Sequence, residues 1–495
     1  MPTQQTSGDV PQSPRSRKHG RLFRWVDRRT GLNKLLHEAL DEPIPGGARY
    51  AYIFGSGLLF IFISQFITGI FLALYYVPSV DHAHVTVAYI TKVVAAGSFL
   101  RSLHVYGASA MVIIVLMHLS QTFFYGSYKG RRELLWISGT VLFALVMGMA
   151  FTGYLLPWDQ KAYFATAVGT SVASEFPLVG GFVERLMRGG TQIGTLTVSR
   201  FFVMHVFYIP ALIFLFVAIH IYLFRKAGAA GPINESPVNP RQRTESFYPR
   251  QLFMDLGFAL LLIIALGFAA YFAPAALGPL ANPADTHFLP RPEWYYRPLF
   301  EWLKIWHGQF ETLRILVIPS IVVFLFIGLP FLDRRLERRP WRRPLAVGLF
   351  SFIFVVLVSL GAYSYYQDSH DKDVATQLAQ QHRMEVQYMQ QAFKPQMVGG
   401  SQTGQEAGST KSSSPLIAQG KKIFQARACY ACHGQGAVGT SFAPKLIGIG
   451  KKFSAEQMVD LFKHPLPKMT AGGMPHFTFT PAEVKALRSY LDSLQ

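Results

Sequence analysis

The chain has 495 residues, half of them hydrophobic and only 15% charged, which is too apolar for a water-soluble protein of this size. A formal net charge of +19 would suit a nucleic-acid binder, but the basic residues gather in loops between apolar stretches. The excess therefore reads as membrane topology, and no nucleic-acid partner is expected.

Residues 1–49 carry scattered Arg and Pro without the apolar core of a cleavable leader, so they read as a basic cytoplasmic segment that stays on the chain. Seven stretches then have the length and apolarity to cross about 30 Å of hydrocarbon: 51–77, 105–124, 134–156, 201–224, 253–272, 315–332 and 345–363. An odd count puts the termini on opposite sides. The N-terminal segment and the loops after spans two, four and six hold more than twice the Lys and Arg of the opposite loops. A multi-pass protein of the inner (plasma) membrane is expected, with a cytoplasmic N-terminus and a periplasmic C-terminus. The run from Arg334 to Arg343 reads as a solvated cytoplasmic loop near anionic lipid.

His104 immediately precedes the second span, which carries His118, and the fourth span carries His205 and His220. Separations of 14 and 15 residues are close to four turns, so each pair keeps to one helix face, roughly 21 Å apart at about 1.5 Å per residue. One intramembrane imidazole could merely hydrogen-bond a neighbouring helix. Four in register point to a functional site: two stacked haems b, held by His104 with His205 near the periplasm and by His118 with His220 near the cytoplasm. Gly55 with Gly69 and Gly139 with Gly153 repeat the 14-residue interval. Glycine lets a planar macrocycle approach the backbone, although it also serves helix packing. Arg101, beside the outer pair, is a candidate partner for a haem propionate.

Beyond the last span, 367–391 is polar and helical in pattern, and 394–415 is rich in Gly, Ser, Thr and Gln. The latter reads as a flexible linker with an r.m.s. reach of roughly 26 Å. A globular tail follows, ending in an amphipathic helix over 481–494. It contains Cys429, Cys432 and His433 as C-x-x-C-H, the attachment signature of a covalent haem c with His433 as axial ligand. A thiol redox pair needs no following His, and a zinc site needs a second cysteine pair that this chain lacks. Met474, followed by Pro475, is the candidate sixth ligand, with Met469 as the alternative.

The tail resembles a class I cytochrome c, with Gly420 and Phe424 spaced so that the first helix crosses the last at Leu487, Tyr490 and Leu491. Residues 48–366 resemble cytochrome b of bc and bf complexes. The matching motifs are Arg101-Ser-Leu-His104 with Gly107, Gly153-Tyr-Leu-Leu-Pro157-Trp158-Asp159-Gln160, Phe247-Tyr-Pro249 with Asp255, and Pro292-Glu293-Trp294-Tyr295. The seven spans and the 15-residue step look like the bf arrangement, although Ile53 stands where that family has a haem-bearing cysteine.

The resemblance implies an all-α, seven-span bundle with a small all-α cytochrome c domain. The expected divisions are 1–49, a four-helix haem b domain over 50–230, a three-helix domain over 231–366, a helix and linker over 367–414, and the c domain over 415–495. It implies a quinol:cytochrome c oxidoreductase subunit that oxidises quinol at the periplasmic face. One electron would pass through the two b haems to a cytoplasmic-side quinone site, with proton translocation, and the fused c domain would be the high-potential carrier. Glu293 would accept the quinol proton beside Tyr295, and Asp255 would serve quinone reduction. A Rieske iron–sulfur protein is expected as a separate chain, since no cysteines remain for a cluster. A homodimeric complex and a soluble or membrane-bound electron acceptor are also expected. The alternatives are a quinol dehydrogenase that relays both electrons to the c domain, and a haem-binding sensor with a displayed c module.

Overall fold

A computed structural model describes residues 20–233, 244–283, 285, 288–305, 313–395, 415–427, 429, 433, 437, 445–465 and 477–494. The chain forms two compact units, 1–396 and 397–495.

Two short amphipathic helices, α1 (Arg21–Thr30) and α2 (Leu32–Leu40), precede the bundle of the larger unit. Its first half comprises α3 (Ile53–Ala73), α4 (Ala83–Lys92), α5 (Gly97–Phe124), α6 (Glu133–Tyr154), α7 (Gln160–Ser174), α8 (Gly180–Arg188), α9 (Thr195–Val203) and α10 (Ile209–Ala227). Helix α3 packs along α5, and α6 along α10. Ile61, Phe62, Met111, Ile114, Ile209 and Ile213 fill the centre of the bundle. The second half holds α11 (Arg250–Phe272), α12 (Arg297–Ile305), α13 (Ile318–Ile327), α14 (Leu329–Leu332), α15 (Pro344–His370) and α16 (Lys372–Gln390). Leu260, Ile263, Ile264 and Phe268 on α11 stay exposed, as lipid-facing side chains do.

Among the described residues, six helical segments are long and apolar enough to cross a membrane: Tyr50–Ala73, Gly97–Phe124, Glu133–Tyr154, Thr195–Ala227, Arg250–Phe272 and Pro344–His370. The seventh expected span falls on a shorter apolar helix, Ile315–Ile327. There the helix is divided by a π-turn over Leu313–Val317 and by Gly328 before α14. A second π-turn, Met204–Tyr208, joins α9 to α10 and carries His205. Both π-turns stand just before an Ile-Pro pair, Ile209-Pro210 and Ile318-Pro319. Proline has no N–H to give and its ring crowds the carbonyl four residues back, so a wider turn relieves both problems.

At the His118 end of the bundle, the basic run from Arg334 to Arg343 is only partly solvated. Arg343 is buried and donates to the carbonyls of Phe123 and Phe124, both at 3.1 Å. Arg338 donates to those of Tyr125 (3.0 Å) and Gly231 (2.9 Å). Guanidinium groups here satisfy carbonyls at helix ends, so part of what reads as lipid-facing charge is internal stapling. Asp333 joins the cluster through Lys129 Nζ at 2.7 Å and the Tyr128 hydroxyl at 2.5 Å.

In the smaller unit, α17 (Pro415–Ala426), α18 (Ala455–Lys463) and α19 (Pro481–Ser493) surround a core of Phe424, Met458, Phe479, Val484, Leu487 and Leu491. Helices α17 and α19 cross at Gly420, where a Cβ would stand 2.0 Å from the Ala486 carbonyl oxygen. Only glycine fits that crossing. Thr480 caps α19 and Glu483 returns the bond to its backbone, so the final helix begins where the sequence places it.

Candidate functional site

Within the bundle the His104 and His205 rings face one another, with centroids 6.2 Å apart and planes at 76°. That gap admits one metal ion between two imidazole nitrogens, as bis-histidine haem ligation requires. The hydrogen bonds decide which nitrogen is available. Thr68 Oγ1 gives its own proton to Ser64 O at 2.8 Å, so at 2.9 Å from His104 Nδ1 it accepts the ring N–H. His205 Nδ1 lies 3.1 Å from Met149 O, which can only accept, and 3.2 Å from Thr152 Oγ1. Both rings are therefore protonated at Nδ1, leaving Nε2 with its lone pair for a metal.

The other pair repeats the plan with one difference. Ser138 Oγ bonds Leu135 O at 2.9 Å and stands 2.9 Å from His220 Nδ1, and His220 lies near enough to His118 to interact with it electrostatically. Among the described residues no hydroxyl serves His118, since Phe54 occupies the corresponding place. Thr68, Ser138 and Thr152 were not picked out by sequence reasoning, although each immediately precedes one of the singled-out glycines. A Cβ on Gly69 or Gly139 would lie 3.3 or 3.2 Å from Cε1 of His104 or His220, and one on Gly153 only 2.4 Å from that of His205. On Gly55 the distance to His118 would be an ordinary 3.5 Å.

Arg101 is buried and donates to the carbonyls of Ala275 and Ala276, while its Nε has no partner among the described residues. Those bonds fasten the loop after α11 to the His104 end of α5. The Pro157-Trp158-Asp159-Gln160 motif fastens it again. Asp159 caps α7 by accepting from Ala162 N at 3.0 Å and also accepts from Gly278 N at 3.2 Å, and Gln160 bonds Asp285 at 2.9 Å.

The loop so held delivers Glu293 and Tyr295 to the same end. Glu293 lines a cavity of about 380 Å³ together with Lys161, Arg291, Arg297, His382 and Glu385. Burial pushes the Glu293 carboxyl above the usual range, opposed by the charges of Lys161 and Arg297. Burial likewise raises the Tyr295 hydroxyl. Tyr296, next to the motif, donates to Met147 O at 2.6 Å. Both arginines are engaged by Asp368, with Arg291 Nη2 at 2.8 Å and Arg297 Nη1 at 2.6 Å. Lys161 pairs with Glu385 at 2.7 Å. Asp368 and Glu385 sit on α15 and α16, far along the chain from the motif, and no local spacing pointed to them.

Asp255 is buried at the opposite end, accepting from Ser56 Oγ at 2.6 Å and Gln251 Nε2 at 2.8 Å. It is held inside the protein and not left among headgroups. In the smaller unit the His433 N–H donates to Cys429 O at 3.0 Å, and Cys429 packs against the core. Cys432, Met469, Met474 and linker residues 396–414 lie outside the described residues.

The family description "Cytochrome b/b6/petB" matches residues 39–228, and "Cytochrome b(C-terminal)/b6/petD" matches 280–382. "Cytochrome C oxidase, cbb3-type, subunit III" matches residues 415–491. The "Cytochrome bc complex cytochrome b subunit" of Chlorobaculum thiosulfatiphilum is 33% identical over 344 residues, covering 68% of this chain and 78% of that protein. The chain belongs to the cytochrome b family of bc complexes. The "Menaquinol:cytochrome c reductase cytochrome b subunit" of Geobacillus thermodenitrificans is 38% identical over 221 residues, 43% of this chain and 99% of that one. A chain of "Hyperthermophilic respiratory Complex III" shares the fold of this cytochrome b, with a TM-score of 0.61 at 24% identity over 75% of this chain and 99% of its own. This cytochrome b is a multi-pass membrane subunit of a quinol:cytochrome c reductase-type complex, acting in electron transfer and carrying a C-terminal cytochrome c domain.

Proposed function

We propose that this subunit oxidises quinol at the periplasmic face of the plasma membrane, with its N-terminus in the cytoplasm and its c domain outside. His104 with His205, and His118 with His220, would each hold one non-covalent haem b. Cys429 and Cys432 would attach a haem c, with His433 and Met474 as its axial ligands. Haems so held supply one-electron transfer across the membrane and onward to an acceptor. The observation that carries this reading is the 6.2 Å separation of the His104 and His205 ring centroids, with both Nδ1 atoms bonded to other groups.

The remaining roles belong to this chain's own groups. Glu293 takes a proton from the quinol hydroxyl, which its raised affinity for protons favours. Tyr295 helps enclose that site, and the Arg101 guanidinium, with Nε free of protein partners among the described residues, suits a carboxylate such as a propionate. At the cytoplasmic side Asp255 would deliver protons to a quinone, a role supported by the hydrogen bonds from Ser56 and Gln251 that steady it. A Rieske protein on a separate chain, a homodimeric complex and a tethered c domain acting as carrier complete the proposal.

The test is a reduced-minus-oxidised spectrum of the purified complex with and without an outer-site inhibitor. Oxidant-induced reduction of the b haems is expected. Its absence, with the c haem still reduced by quinol, would favour a dehydrogenase that sends both electrons to the c domain. Acidified acetone should extract two haems and leave one on the chain, because only Cys429 and Cys432 can hold a haem covalently.

A further inference from the structure

Helix α16 follows the last long apolar helix and turns back over the Glu293 end of the bundle instead of leaving it. Asp371 caps its start by accepting from the backbone of Asp373 and Val374. Its far end is pinned to α4. Tyr388 and Met389 pack against Val87 and Ala88, and the Lys92 ammonium lies 4.1 Å from the Tyr388 ring centroid and donates to the carbonyls of Tyr388 and Gln391. The helix face held down in this way presents Gln381, His382 and Glu385 to the cavity that Glu293 lines.

These groups form a graded series from interior to solvent. Glu385 is buried, 9% exposed, with Oε1 2.7 Å from Lys161 Nζ. Its other oxygen lies 4.0 Å from Nδ1 of His382, a separation one water can bridge, and the His382 side chain is 75% exposed. Gln381 Nε2 is buried, without a protein partner among the described residues, in the same cavity, as expected of a donor that orders a mobile water or proton carrier. The remaining charges facing the cavity are Lys161, Arg291 and Arg297, the two arginines sharing the single carboxylate of Asp368. An imidazole can take a proton on one ring nitrogen and give one from the other, which suits it to the solvent end of such a series.

We propose that Glu385 and His382 form the exit relay for the proton that Glu293 takes from quinol, an inference that rests on the reading of Glu293 as the quinol base. The Glu293 carboxylate removes a proton from the quinol hydroxyl and passes it to the Glu385 carboxylate. Glu385 gives it to the His382 imidazole, and His382 releases it to bulk water. Each group ends in the protonation state in which it began, and no electron moves in the relay. Lys161 is a positioning residue, holding Glu385 toward the cavity.

The test measures quinol oxidation against pH in membranes carrying the intact complex, with b-haem content checked in every variant. Glu385→Gln is expected to slow the neutral-pH rate about a hundredfold, the lower end of the roughly 10²–10⁴ range of lost acid–base assistance, and Glu385→Asp to restore most of it. His382→Ala is expected to be slow and to recover when imidazole is added, which a structural defect would not do. If both variants keep the wild-type pH profile while Glu293→Gln is slow, the relay is overturned and the base stands. If Glu293→Gln itself is unaffected, the underlying reading fails. A slow His382→Ala that imidazole does not restore also overturns the relay.

Discussion

A Cβ on Gly153 would stand 2.4 Å from Cε1 of His205, whereas one on Gly55 would stand 3.5 Å from Cε1 of His118. The same glycine interval thus encloses one ring tightly and another with ordinary clearance. Gly153→Ala is expected to displace His205 and reduce one b-haem signal, while Gly55→Ala keeps both. Reduced-minus-oxidised spectra of the two variants, normalised to the c haem, check this contrast.

Thr68→Val removes the oxygen that accepts the His104 N–H. The imidazole then donates less strongly and favours ferric iron less, so the midpoint potential of that haem should rise. The size should be on the order of tens of millivolts, since one hydrogen bond is worth ~1 kcal/mol and about 59 mV is tenfold for one electron. Ser138→Ala should raise the other b haem instead. Redox titration in which either variant shifted both haems equally would count against the assigned pairing.

Glu293 must be ionised to accept a proton, and burial raises the pH at which it ionises. The wild-type rate should therefore climb with pH through a region above the ordinary carboxylate range and fall below it. Glu293→Gln should be slow throughout and should lose that inflection. Steady-state quinol oxidation across pH, at constant haem content, gives the answer.

Burial pushes the Asp333 carboxyl up, but hydrogen bonds from Lys129 and Tyr128 and the Lys129 and Arg343 charges outweigh it and hold the group below its usual range. Its stabilising contribution is therefore complete above the unfolded carboxylate value and fades as pH falls through the lowered one. Asp333→Asn leaves Lys129, 4% exposed at its side chain, without its partner charge. A loss of about 3 kcal/mol is expected, as for a buried pair broken from one side. Thermal unfolding followed by b-haem absorbance measures it.

Deleting most of residues 394–415 should slow c-haem reduction while b-haem reduction survives, if the c domain acts as a tethered carrier. Equal retention of both rates in stopped-flow absorbance would refute the tether.

The sequence makes the membrane architecture legible because apolar runs and intramembrane histidines are rare and costly enough to stand out. It also makes the α17–α19 crossing legible, since Gly420 and the Thr480 cap are local signals. The Nδ1 partners were half visible, as hydroxyl residues beside the glycines, but their roles depend on which way two neighbouring helices face. The Asp368 clamp and the Glu385 pair were invisible, since α15 and α16 meet the Glu293 loop only in the folded chain. The inward turn of Arg338 and Arg343 was hidden for the same reason: charge in a loop does not say whether it meets water or a helix end.

The π-turn at His205 changes what a count along the chain measures. One residue added to a regular helix rotates everything beyond it by about 100°, which takes the second histidine from about 40° short of four whole turns to about 60° beyond them. A wider turn absorbs that phase slip locally. Fifteen residues on one helix can then match fourteen on the other, and His104 still meets His205 while His118 still meets His220. The two intervals are equal rungs of unequal sequence length, and an alignment that opens a gap between these histidines would be recording a change of winding, with no change of depth.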